Sequence, residues 1–259
     1  MIDIIWYYVP YMNDIIVTNL SKSYGKGKKA YVVKDLSLHV KTGTVFGFIG
    51  PNGAGKTSTI KMLVGLSQPT QGEVVIGGGM PTDQNIQARI GFMPESPLFY
   101  RYLTAYEFLD LVASLFKLPH KDQRIKEVLQ EVDLQVSSTK KIRTFSKGML
   151  QRLGLAQAIL NEPDILFLDE PLDGLDPLGR AEVKKIILDL KKRGKTIFIN
   201  THILGDVEEI CDQVGIIDRG ILLRTATPSE ISKGYKDLEE AFVSIITSTR
   251  RDAITATTL

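Results

Sequence analysis

The segment Gly50-Pro51-Asn52-Gly53-Ala54-Gly55-Lys56-Thr57 decides how the rest of the chain is interpreted. It fits a phosphate-binding loop, in which glycines let backbone N–H groups curl around an oxyanion while a helix start and a lysine add positive charge. An apolar run at 45–49 precedes the loop and predicts a strand, and helical spacing follows over 56–64. This context predicts that the loop binds a phosphate and that the Thr57 hydroxyl faces Mg²⁺.

Segments on both sides of the loop predict strands. Apolar residues at 15–20 and 36–40 indicate two strands before it, and a third is expected at 73–76. We expect the strands at 15–20 and 36–40 to form an antiparallel sheet that opens into a parallel core, and the strand at 73–76 to complete a strand-loop-helix-strand unit that begins at 45–49. Further apolar strands are predicted at 165–168, 196–200 and 214–217, with a charged helix over 178–192. Such alternation is typical of an α/β domain with a mostly parallel sheet.

The domain boundaries follow from changes in pattern. Residues 1–12 precede the first predicted strand and are interpreted as an N-terminal extension. The domain is expected to span 13–246, and the Thr-rich residues 247–259 are expected to form a tail. Within the domain, apolar residues between 94 and 161 recur at helical spacing. This segment therefore predicts a helical lobe inserted into the α/β core.

Composition excludes several classes of protein. The 259 residues carry a formal net charge of +2, which is far from the strongly basic balance of a nucleic-acid coat protein. Hydrophobic residues at 43% and charged residues at 24% are those of a globular chain, neither disordered nor disulfide-stapled. The single cysteine, Cys211, indicates a reducing compartment. No apolar run approaches the roughly 20 residues of a membrane helix, so no direct membrane insertion is expected.

Two acids close the predicted strand at 165–168. Asp169 and Glu170 follow its apolar residues and are expected at the carboxyl edge of the sheet, where ligands of parallel sheets bind. Asp169 is placed to hold Mg²⁺, and Glu170 can orient and polarise a water molecule for attack on a γ-phosphate. The pair thus predicts metal binding and catalysis from adjacent carboxylates.

The stretch Ser146-Lys147-Gly148-Met149 precedes an apolar helical pattern. Ser146 suits the N-cap position of that helix. Taken alone, the stretch predicts only a capped amphipathic helix.

In combination, these motifs resemble those of the ATP-binding subunits of ABC transporters, over roughly residues 13–246. The resemblance rests on the loop at 50–57, the Asp169-Glu170 strand end, His202 after a strand, and the Ser146-Lys147-Gly148-Met149 stretch between loop and acidic strand. It implies ATP and Mg²⁺ as cofactors. The implied ATP-binding residues are Tyr24, Gly50, Pro51, Asn52, Gly53, Ala54, Gly55, Lys56, Thr57 and Ser58.

The resemblance also assigns roles to single residues. Tyr24 matches the aromatic that stacks on adenine, His202 the histidine that contacts the γ-phosphate, and Asp176 the dimer-facing acid of the loop after the acidic strand. The implied metal ligands are Thr57, Asp169 and Glu95. Glu95 departs from the pattern because it stands where the family usually has glutamine.

The stretch around Ser146 contains two further departures. Lys147 replaces a usual glycine and Met149 a usual glutamine, whereas Ser146 and Gly148 are retained. In the family, these positions contact the nucleotide bound by the opposite subunit. The Ser-Lys-Gly-Met variant is similar to cassettes of exporters.

The resemblance implies a subunit that hydrolyses ATP and works with partners. The expected partners are a second copy of the chain, or a homologous ATPase subunit, and an integral membrane permease that places the chain at the cytoplasmic face of the plasma membrane. No nucleic-acid partner is expected. An alternative is an ABC-type ATPase acting on ribosomes or DNA, and a further one is a nucleotide-gated scaffold that does not hydrolyse ATP.

Overall fold

The computed structural model describes residues 13–24 and 31–257, with side chains through residue 251. The predicted extension at 1–12 lies outside these residues. The strands are β1 (Ile15–Ser23), β2 (Tyr31–Val40), β3 (Val45–Ile49), β4 (Gln71–Ile76), β5 (Ile90–Met93), β6 (Ile165–Asp169), β7 (Thr196–Thr201), β8 (Gln213–Asp218) and β9 (Ile221–Ala226). The helices are α1 (Lys56–Leu63), α2 (Gln84–Gln87), α3 (Ala105–Leu115), α4 (Lys121–Glu131), α5 (Lys147–Ile159), α6 (Pro177–Lys192), α7 (Leu204–Ile210), α8 (Pro228–Ser232) and α9 (Leu238–Thr257).

A six-stranded sheet in the order β5-β6-β7-β3-β8-β9 forms the centre of the fold. Its first five strands pair in parallel, and β9 adds an antiparallel edge. Strands β3, β6 and β7 are buried along their whole length, as expected where a parallel sheet is covered on both faces. Their carboxyl ends therefore lie side by side at one edge, which positions the site.

The antiparallel sheet, in the order β2-β1-β4, shares a core with the central sheet. Phe198 of β7 stacks on Phe46 of β3, with ring centroids 5.4 Å apart. Ile15 and Leu36 of the antiparallel sheet and Ile60 of α1 belong to the same buried cluster. Burial of these apolar surfaces fixes α1, and with it the loop that precedes α1.

Helices α3, α4 and α5 lie between β5 and β6 in the chain. Thr104 caps α3 in a reciprocal capping box with Glu107. The buried faces of the three helices join one core cluster with Leu166 and Leu168 of β6. The predicted fold class, a parallel α/β core with an antiparallel sheet and an inserted helical lobe, is confirmed.

The C-terminal region differs from the sequence-based expectation. Helix α9 runs through Thr257, so the boundary predicted at residue 246 falls inside a helix, and the predicted tail begins as helix. Serine and threonine are weak helix formers, but Leu238, Ala241 and Ile246 are buried in a core cluster with β8. Together with the ion pair from Arg250 to Asp218 of β8, this burial anchors α9 on both sides of residue 246. Among the described residues, no helix is both long and apolar enough to cross a bilayer.

Candidate nucleotide-binding site

The loop between β3 and α1 depends on glycines at two close approaches. Gly55 has φ +108°, and a Cβ there would lie 2.6 Å from the Val32 carbonyl oxygen. A Cβ at Gly50 would collide with the carbonyl oxygen of Ile217. Only glycine therefore lets the backbone fold this tightly at the start of α1, and the N-terminus of a helix favours an anion.

Lys56, the first residue of α1, is buried and points back along the loop. Its Nζ donates hydrogen bonds to the carbonyl oxygens of Gly50 at 2.7 Å and Pro51 at 3.4 Å. Burial lowers the pKa of Lys56, and the negative charges of Glu170, Asp169 and Glu95 oppose that shift. The three carboxylates thus favour the charged form of the Lys56 ammonium at the loop.

Asp169 and Glu170 lie at the end of β6, as predicted, and both are buried. Burial raises the pKa of each carboxyl group. The backbone of Glu170 is left-handed, with φ +52°, which is uncommon for a non-glycine residue and turns the chain out of the strand.

His202 follows β7 and lies next to Glu170. His202 Nδ1 is 2.9 Å from Glu170 Oε2, and this contact opposes the effect of burial on the pKa of Glu170. Since β7 is the neighbour of β6, the pairing follows directly from strand order. The structure therefore joins two residues separated by 32 positions in the sequence.

A cavity of about 540 Å³ opens over the loop. Most of the predicted nucleotide-binding and catalytic residues meet there. The lining residues are Val32, Asn52, Gly53, Gly55, Lys56, Thr57, Ser58, Glu95, Glu170, Asp173 and His202.

Other predicted residues lie outside this lining. Tyr24 is 53% exposed, and Lys22 Nζ lies 5.0 Å from the centre of its ring. Stacking of Tyr24 on adenine stays a prediction.

Ser146 caps α5, and its Oγ accepts a hydrogen bond from the backbone N–H of Met149 at 3.3 Å. Ser146, Lys147, Gly148 and Met149 are not among the residues that line the cavity of their own chain. Asp176 caps α6, and its Oδ1 accepts from the Gly179 N–H at 2.7 Å. Contact of Ser146 or Asp176 with a second subunit stays a prediction.

Sequence reasoning missed two polar residues of the site. Asn200 of β7 is fully buried, and its Nδ2 donates to Asp169 Oδ1 at 3.0 Å. Asp173 lines the cavity and accepts a hydrogen bond from Lys147. Asn200 is a polar residue next to the carboxyl end of an apolar strand, much like Asp169 at the end of β6, and this shared placement is the signal that could have found it. Nothing local to Asp173 distinguishes it from a turn residue.

The ABC transporter family model matches residues 33–173, which is more than half of the chain. The chain belongs to the ABC transporter family. This ABC protein is 44% identical over 240 residues to an uncharacterized ABC transporter ATP-binding protein of Synechocystis, covering 88% of this chain and 68% of the relative. It is 47% identical over 216 residues to the bacitracin transport ATP-binding protein of Bacillus licheniformis, and the match covers 82% of this chain and 69% of the relative.

A solved structure described as the ATP-binding subunit of an ABC transporter has the same fold. Its TM-score is 0.80 at 31% identity, with 90% of this ABC protein and 99% of the solved chain covered. Membership of the family implies ATP binding and ATPase activity. The alternative of a ribosome- or DNA-acting ATPase receives no support from these relatives.

The residues of this ABC protein suit Mg²⁺. The Thr57 side chain hydrogen-bonds the buried Asp169 carboxylate, which brings two hard oxygen donors together. In the described part of the chain, no three His, Cys, Asp or Glu side chains converge as a metal site. Mg²⁺ bound beside a nucleotide usually takes one or two protein oxygens, with phosphates and waters as its other ligands. The donor set therefore fits a metal that arrives with ATP.

Proposed function

We propose that this protein is the ATP-hydrolysing subunit of an ABC transporter and that two ATP-binding subunits enclose two Mg-ATP between them. The proposal is carried by one observation: Lys56, Glu170 and His202 line one cavity, whereas Ser146 and Gly148 do not reach it in the same chain. The N-terminus of α5 favours an anion. A second copy, or a homologous subunit, would bring its own Ser146 and Gly148 to this cavity.

Each residue has a distinct part in hydrolysis. The loop N–H groups and Lys56 hold the β- and γ-phosphates, and Glu170 orients a water molecule and accepts its proton. His202, hydrogen-bonded to Glu170, contacts the γ-phosphate. Thr57 and Asp169, with Glu95 at the cavity edge, would hold Mg²⁺, which neutralises charge on the phosphate oxygens.

The partner that uses this energy is proposed to be a separate membrane permease. The segment between β5 and α3 exposes apolar and aromatic surface: Leu98 is 94% exposed, Tyr102 69% and Tyr100 54%. Adjacent exposed apolar side chains suit a protein interface. Docking through them would place the chain on the cytoplasmic face of the plasma membrane. Export as the direction rests on the resemblance of the Ser-Lys-Gly-Met variant to exporter cassettes, and the bacitracin transport relative supports a role in transport.

The deciding experiment is gel filtration of Glu170→Gln with and without Mg-ATP. The substitution keeps the size of the side chain but removes the group that accepts the proton from water, so ATP persists and the dimer accumulates. Lys56→Ala should lose nucleotide binding and stay monomeric. Lys61→Ala, on the exposed side of the same helix, is the matched control. A Glu170→Gln variant that stays monomeric at high protein and ATP concentrations would contradict the two-subunit site.

A further inference from the structure

Lys147 and Asp173 form an ion pair between two segments of the site. Lys147 Nζ donates to Asp173 Oδ2 at 3.0 Å and thus ties the first turn of α5 to the loop after Glu170. The lysine side chain passes directly over Gly174, where any Cβ would collide with it. Gly174 has φ +65° and leaves the room that this path needs. The three residues form one unit, which we call the 147–173 clasp.

The clasp pairs Lys147 with the Asp173 carboxylate, which lines the nucleotide cavity. Among the lining residues, Glu95, Glu170 and Asp173 supply three carboxylates, against the single ammonium of Lys56. Glu170 has His202 as a partner. Asp173 has Lys147, which approaches from outside the cavity and is not part of its lining. A bound triphosphate would bring further negative charge to the same space.

We propose that Lys147 is a positioning residue that neutralises Asp173 and so lets the cavity of its own chain accept the triphosphate. The inference rests on the proposed ATP binding and deepens it. Glycine at position 147 could not supply this charge. Lys147 therefore acts on the nucleotide of its own subunit, in addition to any contact it makes across a dimer.

The test measures Mg-ATP binding calorimetrically in four full-length chains: unaltered, Lys147→Gln, Asp173→Asn and the double variant. Lys147→Gln should weaken binding about threefold to fivefold at low salt, because an exposed ion pair acts weakly through solvent. The loss should shrink as salt screens the charges. In the Asp173→Asn background, Lys147→Gln should change the affinity by less than about 1.5-fold, since the charge it offsets is gone.

A matched control is Lys141→Gln, which removes the lysine of another exposed ion pair, with Glu107 at 3.2 Å, outside the cavity lining. It should bind Mg-ATP as the unaltered chain does. Equal losses from Lys147→Gln in both backgrounds would overturn the proposal and indicate direct nucleotide contact by Lys147. An unchanged affinity of Lys147→Gln would also overturn it. Failure of the unaltered chain to bind Mg-ATP would instead contradict the proposed function itself, and the clasp with it.

Discussion

Asn200 holds the Asp169 carboxylate across two neighbouring strands. The Asn200 Nδ2 donates to Asp169 Oδ1 at 3.0 Å, while the Asn200 backbone carbonyl accepts the Glu170 N–H at 2.9 Å. One residue of β7 therefore orients both acids at the end of β6. Partners that orient a metal ligand typically affect metal affinity by 10–100-fold.

Asn200→Leu is expected to raise the Mg²⁺ concentration for half-maximal ATPase activity about tenfold. Leucine has the same branched side-chain skeleton, and it also removes the Asn200 Oδ1, a buried acceptor with no partner among the described residues. The fold should therefore tolerate it. The measurement is a Mg²⁺ titration of steady-state ATPase activity, and Asn161→Leu is the control because its amide bonds the Ala88 carbonyl away from the cavity. A folded Asn200→Leu variant with the original Mg²⁺ dependence would show that Asn200 does not orient Asp169.

Glu95→Gln is expected to leave ATP hydrolysis within about tenfold of the unaltered chain, or about 1.4 kcal/mol on the barrier. Glu95 is exposed in the cavity lining, whereas Asp169 is buried beside Thr57, so we expect Glu95 to act only as a secondary metal ligand. Steady-state ATPase assays check this, with the exposed Glu73→Gln as a charge-matched control. A thousandfold loss would make Glu95 a primary ligand.

Lys184→Met is expected to destabilise the fold by about 2 kcal/mol, measured by urea unfolding. Lys184 Nζ lies 3.0 Å from Asp206 Oδ1 and 2.6 Å from Glu209 Oε2, and it joins α6 to α7. Without it, the buried Asp206 carboxylate keeps Arg180, at 3.9 Å, as its one ion-pair partner in the described part of the chain. Lys185→Met, one residue along on the exposed face, should cost far less. Equal unfolding midpoints for the two variants would argue against a stabilising Lys184–Asp206 pair.

The Asp218–Arg250 pair should make stability depend on pH at the acid end. Hydrogen bonds from Arg250 at 2.8 and 2.9 Å hold the pKa of Asp218 below its usual range. Because the unfolded chain then binds the proton more readily, this stabilisation is complete above the unfolded pKa and is lost as pH falls through the folded one.

Asp218→Asn should accordingly lower the melting temperature by a constant amount above about pH 5, with the difference vanishing at lower pH. Thermal unfolding followed by circular dichroism from pH 7 to pH 2 provides the measurement. The exposed Asp35→Asn serves as the control. A difference between Asp218→Asn and the unaltered chain that persists unchanged to the lowest pH would mean that the ion pair does not tie α9 to β8.

Local patterns were sufficient to predict much of the fold. Strand β3 was predicted with its observed bounds, and the helices at 56–64 and 178–192 within one residue, because apolar spacing, glycines and caps act over a few residues. Strand β5 was not predicted, since its four residues, Gly91 among them, form too short a pattern. Its pairing with β6 supplies the missing stabilisation.

The sequence by itself determined the phosphate-binding loop, the two acids at the end of β6 and the capped start of α5, because each depends on neighbours within one turn or one strand. Only the tertiary structure decided that Asn200 bonds Asp169, that Lys147 crosses Gly174 to Asp173, and that α9 continues to Thr257. The physical reason is the separation along the chain of the residues that interact. These features depend on contacts between residues that are distant in the chain. Burial of the shared core decides which strands and helices become neighbours.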